Sequence, residues 1–197
     1  MDDHALKSID LSRAGNADGI RTRSKITELL WYFMEMAVLY NPLVLSSRMR
    51  ALALRMFGAQ IGQGVVLRSR LRVKYPWKLA IGDHCWIGED VWIHNQDEVR
   101  IGKHCVVSQG TFITTGSHDT RKTMGLVTRP VVLEDGAWVT SRCIVLMGVT
   151  VGHNSIITPG SVVHKTVPPM GVYGGNPLKF IQERSIDLEN LDQQHHH

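Results

Sequence analysis

Among the side chains of this sequence that could do chemistry, the histidines stand out, and one of the ten occupies a position unlike the rest. A neutral imidazole titrates near working pH, so it can take a proton from a weak nucleophile. His118 closes the run ITTGSH and is followed directly by Asp119–Val132, the single long interruption of an otherwise regular pattern. His84 and His104 recur at equivalent places in that pattern, and the chain also has His94 and His153. Zinc chemistry needs three ligands converging on one point. His84 and His104 share one phase of the repeat and His118 another, so they face different ways, and no metal is expected. The three cysteines, Cys85, Cys105 and Cys143, all fall at the same inward phase, which reads as buried thiols in a reducing compartment.

The pattern that must position these groups has a period of six. Leu133–Lys165 divides into LEDGAW, VTSRCI, VLMGVT, VGHNSI and ITPGSV, with VHK opening another unit. Each unit starts on Leu, Val or Ile and carries a smaller residue four places later: Ala137, Cys143, Val149, Ser155 and Ser161. On an extended chain positions one and five point to the same side. A six-residue period belongs to neither helix nor hairpin but to a hexapeptide β-helix, three units closing one triangular coil. Followed upstream, the register opens coils at Ile61, Ile81, Ile101, Leu133 and Val151. That predicts about five coils, a prism roughly 20–25 Å tall at the usual strand spacing. Gly and polar residues at positions two to four suit corners, since they tolerate positive φ. Position six points outward and holds Val66, Trp86, Trp92, Val106, Phe112, Trp138, Ile144, Ile156 and Val162. A soluble monomer rarely exposes so much apolar surface, so other subunits are expected to cover part of it. His118 falls at this outward phase, at the root of the long loop.

Ahead of the repeat, Ser24–Phe57 reads as two helices. Ser24 can cap the first, with Ile26, Leu29, Leu30, Phe33, Met34 and Ala37 at helical spacing, and Pro42 breaks the run. Residues 29–45 are apolar but interrupted by Glu35, Asn41 and Pro42, too broken for a membrane span. They suit packing on the solenoid or on a neighbouring subunit, with a peripheral membrane contact as the second reading. The organisation is therefore a helical extension at 1–58, a β-helix at 59–167 with a loop at 119–132, a tail at 168–194, and His195–His197 as a probable purification tag. A formal charge of +4 is too small and too scattered to imply nucleic acid. The polar start MDDHALKSID has no secretory pattern, which leads to the expectation of a cytoplasmic protein, at the inner membrane surface if residues 29–45 make contact.

From about Phe57 to Arg184 the chain resembles the hexapeptide-repeat sugar O-acetyltransferases, in particular those of colanic acid and related exopolysaccharide synthesis. The motifs are FGAQIG at Phe57, YPWKLAIGD at Tyr75, IGEDVWIHN at Ile87, SQGTFITTGSHD at Ser108 and PPMGVYGGNPLKFI at Pro168. The resemblance implies a left-handed parallel β-helix, a homotrimer, and acetyl-CoA lying between adjacent prisms. It makes His118 similar to the general base that deprotonates the hydroxyl of a sugar or polysaccharide-precursor acceptor. Asn95 and Asp97, above the His118 strand, are the candidates to orient it. Direct transfer needs no acyl-enzyme, so the lack of a Ser-His-Asp or Cys-His set is no objection. For the coenzyme, the resemblance points to Trp138, to an oxyanion donor near Ser141, to Gly160 for close approach, and to Lys165 and Lys179 for the phosphates. Gln182 stands where relatives often carry Arg, which shifts that contact to Arg184. An antibiotic or amino-acid acceptor is the alternative, with a zinc carbonic anhydrase or a non-catalytic scaffold behind it.

Overall fold

The computed structural model describes residues 11–13, 20–121 and 123–187. The tag-like His195–His197 lie outside the described residues. The body is a parallel β-solenoid of five full turns and a partial sixth, with two helices at its N-terminal end. Turn one holds β1 (Gln60–Ile61), β2 (Val66–Leu67) and β3 (Arg72–Val73); turn two, β4 (Leu79–Ile81), β5 (Trp86–Ile87) and β6 (Trp92–His94). Turn three holds β7 (Val99–Ile101), β8 (Val106–Val107) and β9 (Phe112–Thr114). An excursion with β10 (Gly116–His118) and β11 (Leu126–Thr128) follows. Turn four holds β12 (Val131–Leu133), β13 (Trp138–Val139) and β14 (Ile144–Val145); turn five, β15 (Thr150–Val151), β16 (Ile156–Ile157) and β17 (Val162–Val163). β18 (Gly171–Gly174) starts the sixth turn beside β16, and β19 (Lys179–Glu183) returns antiparallel to it.

Three parallel sheets form the walls: a first face β1-β4-β7-β12-β15, a second running from β2 through β5, β8, β13 and β16 to β18 and β19, and a third β3-β6-β9-β14-β17. The stack Ile61, Ile81, Ile101, Leu133, Val151 is in register across the first face, as the hexad reading requires. Inside, Leu67, Ile87, Val107, Val139 and Ile157 form a fully buried column behind the second face. Each such side chain contributes about 1.5–3 kcal/mol. Cys85, Cys105 and Cys143 are buried as their phase predicts. None of the nine position-six side chains is buried, and Trp86 keeps 62% of its surface exposed.

The corners divide the work of glycine differently from the expectation. Within the hexads of the five full turns positive φ falls at position four, where Gly64, His84, His104, Gly136 and Asn154 follow one another up a single corner. Glycine at position two answers a different constraint: a Cβ on Gly82 would lie 2.7 Å from the carbonyl carbon of Gly102, and backbone cannot move aside. Coil-on-coil contact, rather than backbone conformation, selects glycine there.

The helices solve the problem of the open end. The first turn of a solenoid leaves backbone groups unpaired, an aggregation hazard if uncovered. α1 (Lys25–Met34), capped by Ser24 as the sequence suggests, continues into one π-helical turn at Glu35–Leu39. Trp31 Nε1 donates to the Val73 carbonyl at 2.7 Å, and Glu35 Oε1 accepts from Val73 N–H at 2.6 Å. α2 (Ser47–Met56) does the same for β2: Ser47 Oγ accepts from Leu67 N–H and donates to Val65 O, while the buried Arg50 donates to Leu67 O. Arg55 covers the carbonyls of Ile61 and Gly62. The helices thus pack on the solenoid, and their other side leaves Leu29, Leu30, Phe33, Leu43 and Leu45 exposed. Among the described residues no helix is long and apolar enough to cross a membrane.

The insertion is not the plain loop expected at 119–132. The chain leaves the wall at Gly116, and β10 pairs antiparallel with β11 as a short arm. His118 therefore lies on the arm, opposite Leu126, and not at an outward position of the third face.

Candidate active site

The arm fixes His118 through its own backbone. Asp119 N–H donates to Gly125 O and Met124 N–H to Asp119 O, closing the tip, while Asp119 Oδ1 accepts from Arg121 N–H. This turn sets the Met124 carbonyl 2.8 Å from Nδ1 of His118. A carbonyl only accepts, so Nδ1 carries the proton and Nε2 presents a lone pair. The side chain is exposed, and Nε2 has no partner among the described residues. That tautomer and orientation suit a general base. The residues that hold His118 are Met124, through its carbonyl, and Asp119; the sequence reading passed over both, although Asp119 ends the quoted TGSHD motif.

Asn95 and Asp97 do not orient His118, correcting the expectation. Asn95 is fully buried; its Oδ1 accepts from Tyr75 N–H at 3.0 Å and its Nδ2 donates to Tyr75 O at 2.6 Å. Both ends of the amide are therefore used to tie the second turn to the first. Asp97 Oδ1 accepts from its neighbour Glu98 N–H, and its own N–H goes to Thr115 Oγ1. These are corner contacts, and His118 takes its partner from the arm instead.

A groove of about 680 Å³ runs along the outside of the second face, lined by Val66, Trp86, Val106, Ser108, Trp138 and Ser141 among others. Trp138 is held upright by a 3.0 Å bond from Nε1 to Ser108 Oγ, and Ser141 Oγ donates to Gln109 Oε1 at 3.3 Å. Ser141 N–H has no partner among the described residues, whereas its neighbours Thr140 and Arg142 donate to Ile157 O and Gln109 O. The next turn stacks Gly160 on the same corner, its N–H donating to Ser141 O; a Cβ there would meet nothing within 4 Å. Trp138, Ser141 and Gly160 are thus brought to one face and the corner after it.

The basic candidates are dispersed. Lys179 is exposed on β19, at the end of the second face; Lys165 is exposed just after β17, at the corner between third and first faces. Arg184 is engaged elsewhere: its Nη1 donates to the carbonyls of Gly136 and Asn154, pinning the tail against two successive corners. That structural duty argues against the phosphate role given to it. The imidazoles of His84 and His104 stack with centroids 5.4 Å apart, and among the described residues no group of three His, Cys, Asp or Glu side chains could hold a metal ion.

The geometry has one further property. A turn visits the first, second and third faces in order, so the arm leaves from the corner between third and first faces. The Trp138 groove lies on the second face, across the prism from that corner. One chain does not bring His118 and the groove together.

Comparison with known proteins agrees with this architecture. The hexapeptide repeat of succinyl-transferase matches residues 78–115 and 130–165. WcaF of Escherichia coli (strain K12), named as a colanic acid biosynthesis acetyltransferase, is 37% identical over 177 residues, 89% of this chain and 97% of its own. A galactoside O-acetyltransferase of the same organism is 28% identical over 129 residues, 64% of each chain. The solved hexapeptide-repeat acetyltransferase of Vibrio cholerae, complexed with acetyl coenzyme A, superposes with a TM-score of 0.78 over 88% of this chain and 95% of its own, at 21% identity. The chain belongs to the hexapeptide-repeat acetyltransferase family and is an acyltransferase.

Proposed function

We propose that the enzyme moves the acetyl group from acetyl-CoA to a hydroxyl of a sugar or polysaccharide precursor, by direct transfer in a ternary complex, with His118 as general base. The observation that carries this is the His118 Nδ1 contact to the Met124 carbonyl, which leaves Nε2 free to accept. The acceptor hydroxyl gives its proton to Nε2 as its oxygen attacks the thioester carbon. The oxyanion is met by the unclaimed N–H of Ser141, beside Trp138. The carbon–sulfur bond then breaks, and the imidazolium returns the proton to the departing thiolate. Trp138, Ser141 and Gly160 line the pantetheine path, with Lys165 and Lys179 for the phosphates. Since His118 and the groove lie on opposite sides of one prism, a homotrimer with the site shared between neighbouring subunits supplies both halves. The WcaF and galactoside acetyltransferase relatives support a sugar acceptor. The exposed apolar side of the helices is available to a neighbouring subunit or, at the cytoplasmic side of the inner membrane, to the lipid surface. The test is an acetyl-CoA consumption assay across free sugars, nucleotide sugars, lipid-linked oligosaccharides and polymer, with product masses determined. An acetylated sugar supports the reading; turnover only with amines or antibiotics refutes it.

A further inference from the structure

A second cavity, of about 260 Å³, lies between α1 and the outer side of the third face and has no part in the chemistry above. Its floor is β3 and β6. Arg72 on β3 and Lys74 just after it stand two apart and both line the cavity, and Trp92 is paired directly beside Arg72. The Arg72 guanidinium sits 4.2 Å from the centroid of Trp92, and Lys74 Nζ lies 5.3 Å from that of Tyr75. Neither cation has a carboxylate within salt-bridge distance, or a side-chain hydrogen bond, among the described residues. The other cation here, Arg21, is matched to Glu28 at 3.7 Å. Glu35, also on the lining, accepts from Val73 N–H; burial pushes its pKa up against the opposing pull of that bond and of Arg72 and Lys74. Three cations, Arg21, Arg72 and Lys74, thus face two carboxylates, Glu28 and Glu35, which leaves surplus positive charge against aromatic rings. His94, on the same lining, is pushed down by burial and then by Lys74 and Arg72, so it stays neutral. A neutral imidazole beside two cations can hydrogen-bond a polar ligand without adding charge.

We infer that this cavity binds an anionic sugar residue, carrying a carboxylate or a phosphate, with Arg72 and Lys74 on the anion and Trp92 against the ring. Aromatic rings suit the apolar face of a sugar, and unpaired cations suit its acid group. Among the described residues Arg72 and Lys74 share only Glu35 as a nearby counter-charge, so a bound anion relieves the repulsion left between them. The cavity adjoins the catalytic arm: His94 on β6 is paired with Thr114 on β9, four residues before His118. Four residues span at most about 14 Å, so one acceptor of two or three sugar units could fill the cavity and still present a hydroxyl at the arm. The inference rests on sugar acetyl transfer as the reaction and names the acceptor as acidic.

The experiment is calorimetric binding with the full-length protein, using three probes: a methyl glucuronide, the methyl glucoside of the same configuration, and glucose 1-phosphate. Wild type should bind at least one acidic probe about tenfold or more tightly than the neutral one, the low end for a charge-assisted hydrogen bond. The glucuronide and phosphate arms separate the two sources of charge. Lys74→Gln and Arg72→Gln should each erode that preference, and the double variant should abolish it. Acetyl-CoA binding by the variants serves as the folding control, since Arg72 is exposed and Lys74 only half-buried. Equal affinity for all three probes, or a preference that survives the double variant, overturns the inference. Binding is read without turnover, so a preference for acid with no acetyl transfer to any sugar would fault the proposed reaction and leave the site standing.

Discussion

Asn95 provides the sharpest separation of structure from chemistry. Replacing it with Ala strands Tyr75 N–H, buried in a residue only 7% exposed, and takes one of two donors from Tyr75 O, which keeps Lys78 N–H at 3.0 Å. A stranded buried group costs about 1–3 kcal/mol, and that is the loss expected. For a chain of this size that is roughly 2–12 °C in Tm. Asn95→Asp keeps the acceptor for Tyr75 N–H but sets a second oxygen against the Tyr75 carbonyl. Protonation restores a donor, and burial favours the neutral acid, so this variant should melt low at neutral pH and recover as pH falls. The assay is thermal melting at fixed protein concentration, with kcat measured well below the transition. If Asn95→Ala melts like wild type while kcat falls a hundredfold, Asn95 acts on the chemistry and the reasoning fails.

Other perturbations have equally definite outcomes. Burial raises the pKa of Glu35, so the stability of its protonated form is present at low pH and lost as pH rises through that value. Glu35→Gln should accordingly gain on wild type in melting temperature between acid and neutral pH, and parallel curves would contradict this. Gly82→Ala should lower the melting temperature, because its Cβ meets the Gly102 backbone at 2.7 Å; an unchanged melt would show that the coils can part. The fully buried Cys85, Cys105 and Cys143 should react with thiol reagents only on unfolding, as followed by labelling rates. Mixing His118→Ala subunits with Trp138→Ala subunits, each inactive alone, should restore activity on exchange if sites are shared, and none if each chain is self-sufficient.

The coils were legible because a solenoid repeats one constraint: Ile61, Ile81, Ile101, Leu133 and Val151 each fill the same slot, so the slot shows as a period. The outward phase of Trp86 and Trp138 followed from strand alternation alone. What escaped has no period. The covering of the open end depends on single contacts, such as Trp31 to Val73 and Ser47 to Leu67, each specific to one backbone group. The arm was read as beginning at Asp119 because ITTGSH fits a hexad, although Gly116–His118 pairs with Leu126–Thr128 across a turn. With that pairing hidden, Asn95 and Asp97 looked like neighbours for His118, and the Met124 carbonyl could not be found, since a backbone acceptor leaves no trace in residue type. The place of Arg184 has no period either: its engagement with the Gly136 and Asn154 carbonyls depends on where the tail lies.

The central claim is that His118 removes the acceptor proton, and its most direct test is the kinetics of His118→Ala with a sugar acceptor. The side chain is exposed on the arm, so truncation opens no core cavity and should leave the melting temperature within the small range of surface changes. Acetyl-CoA affinity should be nearly unchanged, since the groove at Trp138 and Ser141 does not include His118. The account predicts a fall in kcat of ~10²–10⁴, the usual contribution of a general base. A variant that keeps more than about a tenth of the wild-type kcat, far above that range, would contradict it.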